Sequence, residues 1–202
     1  MFPSPSYPEP APAEIAAFVD EQFCGKLIAT DADGFPHASI LPFVPLDGVL
    51  EVHMVRADPT FTALCASRRG AFLLDEPLAF TPHHVVSADY AGFATLHFRA
   101  VCFRVEAEIS VEPADVAAAL ERLLRRYEPG ETWRRVEAGG PYDRDLRRLA
   151  VVRLRQVGLE AKFKLAQNRS PAERERLLEF LRGRGAEGDP RAARRIAAAA
   201  RP

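Results

Sequence analysis

The spacing of apolar and polar positions changes period several times along the chain, and each change marks an element boundary. Residues 1–11 are rich in proline and are expected to run extended over the surface. Within 12–23, Ile15, Phe18 and Val19 recur at helical spacing. Residues 25–30 and 35–44 read as strands joined through Asp31-Ala32-Asp33-Gly34, a hairpin. Leu46-Asp47-Gly48 turns the chain into a strand over 49–56, with Leu50, Val52, Met54 and Arg56 on one side and Glu51 and His53 on the other. Asp58 and Pro59 then supply the cap and first-turn proline of a short helix that turns Phe61 and Leu64 inward. Residues 70–74 form a brief apolar strand.

The segment 93–109 carries the most information. Ala94, Leu96, Phe98 and Ala100 make one apolar parity, which switches to Val101, Phe103, Val105, Ala107 and Ile109, with Arg104, Glu106 and Glu108 facing out. A switch of parity requires a bulge or bend. Laid flat, such a strand would extend about 55 Å. A strand coiling around a small antiparallel β-barrel satisfies both conditions. Downstream, Val116, Leu120, Leu123 and Tyr127 stripe a helix that starts after Glu112-Pro113. Residues 128–148 are polar with Trp133 and Tyr142 as anchors, and 149–154 return as a strand. Ser170-Pro171-Ala172-Glu173 has capping-box spacing and opens a helix to Gly183 presenting Leu177, Leu178 and Leu181. A flexible link then leads to a basic tail.

With 202 residues, 48% of them hydrophobic and 27% charged, the chain is expected to fold as one globular domain over 12–183, flanked by the extended segment 1–11 and the link and tail 184–202. Cys24, Cys65 and Cys102 lack paired spacing and read as reduced, buried thiols of a cytoplasmic protein. The N-terminus lacks the basic and apolar run of a signal peptide, and no apolar run reaches membrane-spanning length, so no membrane partner is expected. The net charge of −1 conceals an asymmetry: residues 1–120 carry 6 basic and 16 acidic groups, and 121–202 carry 21 and 12. Such a split suits an anionic ligand on the C-terminal side or simply arginine-loaded helix surfaces.

Candidate chemistry is sparse. His83 and His84, read as strand neighbours, face opposite sides and cannot share a metal. No metal motif, nucleophile elbow or glycine-rich phosphate loop is present, and no residue is assigned a catalytic role. Arg56 ends a strand where a helix begins, so a guanidinium and free N–H groups converge on a possible phosphate position. In an extended Lys162-Phe163-Lys164 both ammonium groups project to one face about 6.5 Å apart, with Gln167 and Asn168 close behind. A solvated lysine pair guarding a strand edge is the plainer reading of the same residues.

The stretches LPFVPLDGVLEVHMVRADPTFTAL (41–64) and EAKFKLAQNRSPAERERLLEFL (160–181) resemble two signature segments of the PaiB-type family, the FMN-binding negative transcriptional regulators. The resemblance covers roughly residues 12–183 and implies an α+β, mainly β, split antiparallel β-barrel with peripheral helices, a homodimer, and FMN bound between subunits. By position, Ser39, Leu41 and Pro42 would line one flavin-side strand; His53, Met54, Arg56 and Ala57 would line the next, with Arg56 near phosphate; Lys162, Lys164, Gln167 and Asn168 would form the closing segment. Ile40, Asp58, Phe61 and Ala91-Gly92 depart from the family pattern, which implies a weakened FMN site, substoichiometric flavin on purification, and tighter FMN binding in Asp58→Asn. An active enzyme would be a flavin-dependent oxidoreductase using NAD(P)H. The alternatives are a ligand-sensing regulator that has lost the cofactor and a haem-handling split barrel. DNA binding has no motif behind it; the tail carries only Arg191, Arg194, Arg195 and Arg201 in an alanine-rich context.

Overall fold

The structure, a computed structural model, describes residues 5–130 and 132–199; the first residues of the proline-rich segment and Arg201 of the tail lie outside them. Seven strands, β1 (Cys24–Thr30), β2 (Pro36–Pro42), β3 (Val44–Leu46), β4 (Val49–Val55), β5 (Arg69–Thr81), β6 (Thr95–Ser110) and β7 (Leu149–Lys164), make one antiparallel sheet in the order β2-β1-β5-β6-β7-β4-β3. Six helices accompany it: α1 (Pro12–Glu21), α2 (Pro59–Ser67), α3 (Pro113–Tyr127), α4 (Asp143–Leu146), α5 (Pro171–Arg184) and α6 (Asp189–Ala198). The chain divides into a larger unit, Ala16–Leu74 with Cys102–Leu159, and a terminal unit, Met1–Ile15, Asp75–Val101 and Glu160–Pro202.

In the larger unit the β1–β2 hairpin pairs Thr30 with Pro36 and Cys24 with Pro42. Its turn is closed by the Asp31 carboxylate, which accepts from the main-chain N–H groups of Asp33 (3.0 Å) and Phe35 (2.9 Å). β1 approaches β5 closely at Gly25, where a Cβ would lie 2.3 Å from the Phe72 ring. The strand expected over 35–44 is broken at Phe43, which turns into the core, meets Phe72 edge to face at 5.4 Å, and offers its carbonyl to the Tyr127 hydroxyl at 2.6 Å. β4 pairs with β7 from Val49–Arg155 to Val55–Leu149. Their buried side chains, Leu50, Val52, Met54, Ala150, Val152 and Leu154, give this unit an apolar centre. α3 adds a second cluster of Val116, Ala117, Ala119, Val136, Leu146 and Val151, against which the expected anchors Trp133 and Tyr142 pack. The buried Glu51 receives Nε and Nη2 of Arg122 (2.8 and 2.7 Å) and Nε of Arg153 (3.1 Å), joining α3, β4 and β7.

The terminal unit departs most from expectation. β5 runs to Thr81 instead of ending at Leu74: its second half buries Leu78 and Ala79 together with two polar side chains that have polar partners, Glu76 meeting Arg99 at 2.6 Å and Thr81 Oγ1 meeting His97 Nε2 at 3.0 Å. β6 shows no switch of parity. His97, Arg99, Val101, Phe103 and Val105 are buried in one unbroken alternation, while Leu96 is 43% exposed. His83 and His84 lie in a 3₁₀ turn, not a strand, and the His84 ring meets Phe180 edge to face. α5 carries the expected capping box between Ser170 and Glu173. Within the expected flexible link and basic tail the chain forms α6, which buries Ala192 and Ile196. Arg184 grips Asp189 at the start of α6 through two contacts (2.8 and 2.5 Å), and Arg174 donates to the Ile196 and Ala199 carbonyls at its end. The link into α6 passes so close to β5 that a Cβ on Gly188 would sit 2.0 Å from the Leu78 carbonyl oxygen.

Candidate functional site

The eleven residues expected to face a flavin fall into two sets. Ser39, Leu41, Pro42, His53, Met54, Arg56 and Ala57 belong to the larger unit; Lys162, Lys164, Gln167 and Asn168 belong to the terminal unit.

In the larger unit, α2 opens as expected with Asp58 at the cap and Pro59 in the first turn. Asp58 Oδ1 accepts the Thr60 N–H at 2.8 Å, and Oδ2 accepts the Ser39 hydroxyl at 2.9 Å; Ser39 Oγ also lies 2.8 Å from Thr60 Oγ1. The carboxylate therefore occupies the place at this helix N-terminus that an anion would seek. Arg56 is exposed in the turn before the helix, its Nη1 3.3 Å from the Arg147 carbonyl, and Ala57 beside it is exposed. Met54 is 1% exposed with its side chain in the apolar core, so it presents no side chain to a ligand. His53 is half-buried, and burial lowers its pKa below the usual imidazole value. Leu41 and Pro42 are half-buried on β2.

The terminal unit assembles a tighter group. β7 continues unbroken to Lys164, so Lys162 and Lys164 project to one face as the alternation predicts. Both ammonium groups lie over one ring, that of Tyr7: Lys162 Nζ is 5.5 Å and Lys164 Nζ 5.8 Å from its centroid. The Tyr7 hydroxyl donates to Asn168 Oδ1 at 3.0 Å. Lys164 Nζ also donates to Thr95 Oγ1, and the Arg169 guanidinium covers the Phe93 ring at 4.4 Å. The turn after β7 holds Ala166 at φ 58, a left-handed conformation that disfavours a Cβ. Gln167 sustains it, accepting the Leu165 N–H and donating to the Phe163 carbonyl, both at 2.7 Å. Gln167 thus builds the turn, while Asn168 and the two lysines meet the Tyr7 side chain.

The cluster is cationic and partly buried. Burial first, then the charges of Lys162 and Arg169, hold the Lys164 pKa below that of an ordinary lysine. Burial raises the Tyr7 pKa, and the Arg169 charge and the Asn168 hydrogen bond offset part of that rise. Close by in sequence, His97 is 2% exposed and its pKa falls to about 4, chiefly through burial; the Lys164 main chain offsets some of the shift. Tyr7, Phe93, Thr95 and Arg169 escaped the sequence reading. Only Arg169, adjacent to Gln167-Asn168, carried a local signal; Tyr7 lies in a segment whose composition says extended and nothing more. At the departure Ala91-Gly92, a 3₁₀ turn brings the Tyr90 ring over Gly92, where a Cβ would come within 2.5 Å of it.

Three solved structures share this fold. A conserved hypothetical protein from Mycobacterium tuberculosis aligns with a TM-score of 0.56 at 20% identity, covering 81% of this chain and 91% of that one. The flavocytochrome Anf3 from Azotobacter vinelandii gives 0.61 at 19%, covering 76% and 67%. An FAD- and haem-binding protein from Mycobacterium smegmatis gives 0.61 at 16%, covering 76% and 71%. At these identities the likeness is one of fold, in keeping with the α+β, mainly β, split-barrel class expected from the strand pattern and the family resemblance. No curated protein matches the chain in sequence. The family model described as "Putative FMN-binding domain" matches residues 1–155, more than three-quarters of the length. The chain belongs to this FMN-binding domain family.

Proposed function

We propose that the protein binds FMN and that Lys162, Lys164 and Arg169 of the terminal unit hold its phosphate. The observation that carries this reading is the geometry of the cluster. Lys162 and Lys164 project from one strand face with their ammonium groups 5.5 and 5.8 Å from the centroid of one ring, and burial, then the charges of Lys162 and Arg169, lowers the Lys164 pKa, a state that a phosphate dianion would relieve. The residues fit the group at its phosphate end, with two ammonium groups on one strand face, a guanidinium, and the Asn168 side chain. Aromatic faces at Tyr90 and Phe93 suit a planar ring system. Bound FMN would supply hydride chemistry with NAD(P)H as donor; the protein's own groups orient and retain it, and none of them is placed as a general base. This reading includes the PaiB-type assignment, a cytoplasmic homodimer, and a role as flavin-dependent oxidoreductase or transcriptional regulator.

The α2 N-terminus is the less favourable phosphate position, because Asp58 already fills it. Of the earlier candidates there, Arg56 is exposed in the turn before α2 and Ser39 is a partner of Asp58. The absorption spectrum of the purified protein, followed by titration with FMN, tests the reading. Saturable 1:1 binding that Lys164→Met weakens about tenfold or more supports it, that loss corresponding to one charge-assisted contact. No binding at millimolar FMN, or a Soret band in the purified protein, refutes it.

A further inference from the structure

One side chain lies against both the Lys162 and the Lys164 ammonium groups. Alternate residues on an extended strand project to one face. The Tyr7 ring centroid is 5.5 and 5.8 Å from the two nitrogens, so an anion bridging them competes with the ring. The electron-rich face of the ring attracts both cations, and the hydroxyl donates to Asn168 Oδ1. The ring arrives on a short segment in which the Tyr7 main chain forms a β-bridge; Pro5, Ser6, Pro8 and Glu9 are exposed and Tyr7 is half-buried among them. The prolines keep this segment extended, so releasing it gains little disorder and seating it loses little.

We propose that Tyr7 sets ligand affinity at this site by covering the Lys162 and Lys164 ammonium groups that an anionic ligand would engage. The inference rests on the flavin reading for the identity of the ligand, but the competition itself applies to any phosphate-bearing molecule. A ligand must break two cation–π contacts and one hydrogen bond to enter. The resulting loss of affinity is about tenfold, a fraction of the gross contacts because the freed phenol regains water.

The test titrates the full chain, as wild type, Tyr7→Ala and Tyr7→Phe, with FMN and separately with inorganic pyrophosphate by calorimetry. Tyr7→Ala is expected to bind both probes about tenfold more tightly, and Tyr7→Phe to stay within about threefold of wild type because the ring remains. Tighter pyrophosphate binding in Tyr7→Ala, with no FMN binding by any variant, upholds the competition and refutes the flavin reading. Unchanged or weaker pyrophosphate binding in Tyr7→Ala overturns the inference, as does the absence of pyrophosphate binding in every variant.

Discussion

The strands of the larger unit bury hydrocarbon around one charged side chain, Glu51, whereas the same sheet within the terminal unit sets the Glu76–Arg99 ion pair and the Thr81–His97 pair among its buried hydrocarbon. In the larger unit the inward positions of β4 and β7 are aliphatic or Met54, with Glu51, Thr60 and Glu121 the buried polar side chains among the described residues. The smaller terminal unit buries Glu76, Thr81, His97, Arg99, Arg174 and Asp189. A single strand, β6, displays both regimes: Phe103 and Val105 lie inward on one part, His97 and Arg99 on the other, in one alternation. Apolar burial holds a sheet together without regard to direction. Buried charge does so only in one geometry and penalises any loss of a partner. The terminal unit is therefore the more specified and the more fragile part, and it also carries the cationic cluster.

The sharpest way to break this contrast is Arg99→Ala, which strands the Glu76 carboxylate although Arg191 and Arg195 lie 3.5 and 3.9 Å from it. A loss of about 3–5 kcal/mol in urea unfolding is expected. The double variant Arg99→Met/Glu76→Leu should recover most of that loss; a single variant costing under about 1 kcal/mol would show that charge does not hold this unit. In the larger unit, Leu154→Ala should cost about 3 kcal/mol through cavity formation, and here a polar isostere in place of leucine should be worse, not neutral.

Acid should act on the terminal unit through His97. Its folded pKa of about 4 lies below the ordinary imidazole value of 6.5, so the unfolded chain binds the proton more tightly. Stability from this residue is complete above pH 6.5 and is lost as pH falls toward 4, by about 3 kcal/mol at most. His97→Gln should flatten the urea midpoint against pH between 6.5 and 5 relative to wild type. An equal slope in both proteins would remove His97 from the account, leaving the half-buried His53 as the titrating group. The smallest effect concerns Asp58. Because its charge faces the Thr60 N–H and the Ser39 hydroxyl, Asp58→Asn should leave FMN affinity within about twofold, rather than raise it as the sequence alone suggests, while Asp58→Ala should cost about 1 kcal/mol of stability.

Periodicity located β1, β4, α2, α3 and α5 because in each the inward residue is apolar or the cap is a local signal. It failed where inward residues are polar. The apparent parity switch at Ala100–Val101 arose from treating Leu96 and Phe98 as core in preference to His97 and Arg99, and β5 was cut short at the point where Asp75 and Glu76 begin. α6 was missed because an Arg- and Ala-rich segment looks solvated until Arg184 and Arg174 are seen to pin its two ends. The lysine pair was legible from strand spacing, but Tyr7, 155 residues before Lys162, was not: nothing local ties an aromatic in a proline-rich segment to a distant strand.

The central claim, that the terminal-unit cations hold a flavin phosphate, is tested most directly by comparing riboflavin with FMN in fluorescence-quenching titrations of the wild type and of Lys162→Ala/Lys164→Ala. The phosphate is the only difference between the two ligands. FMN should bind the wild type at least about tenfold more tightly than riboflavin, and the double variant should abolish that preference. Equal affinity for the two ligands in the wild type, or a preference that survives in the double variant, would contradict it.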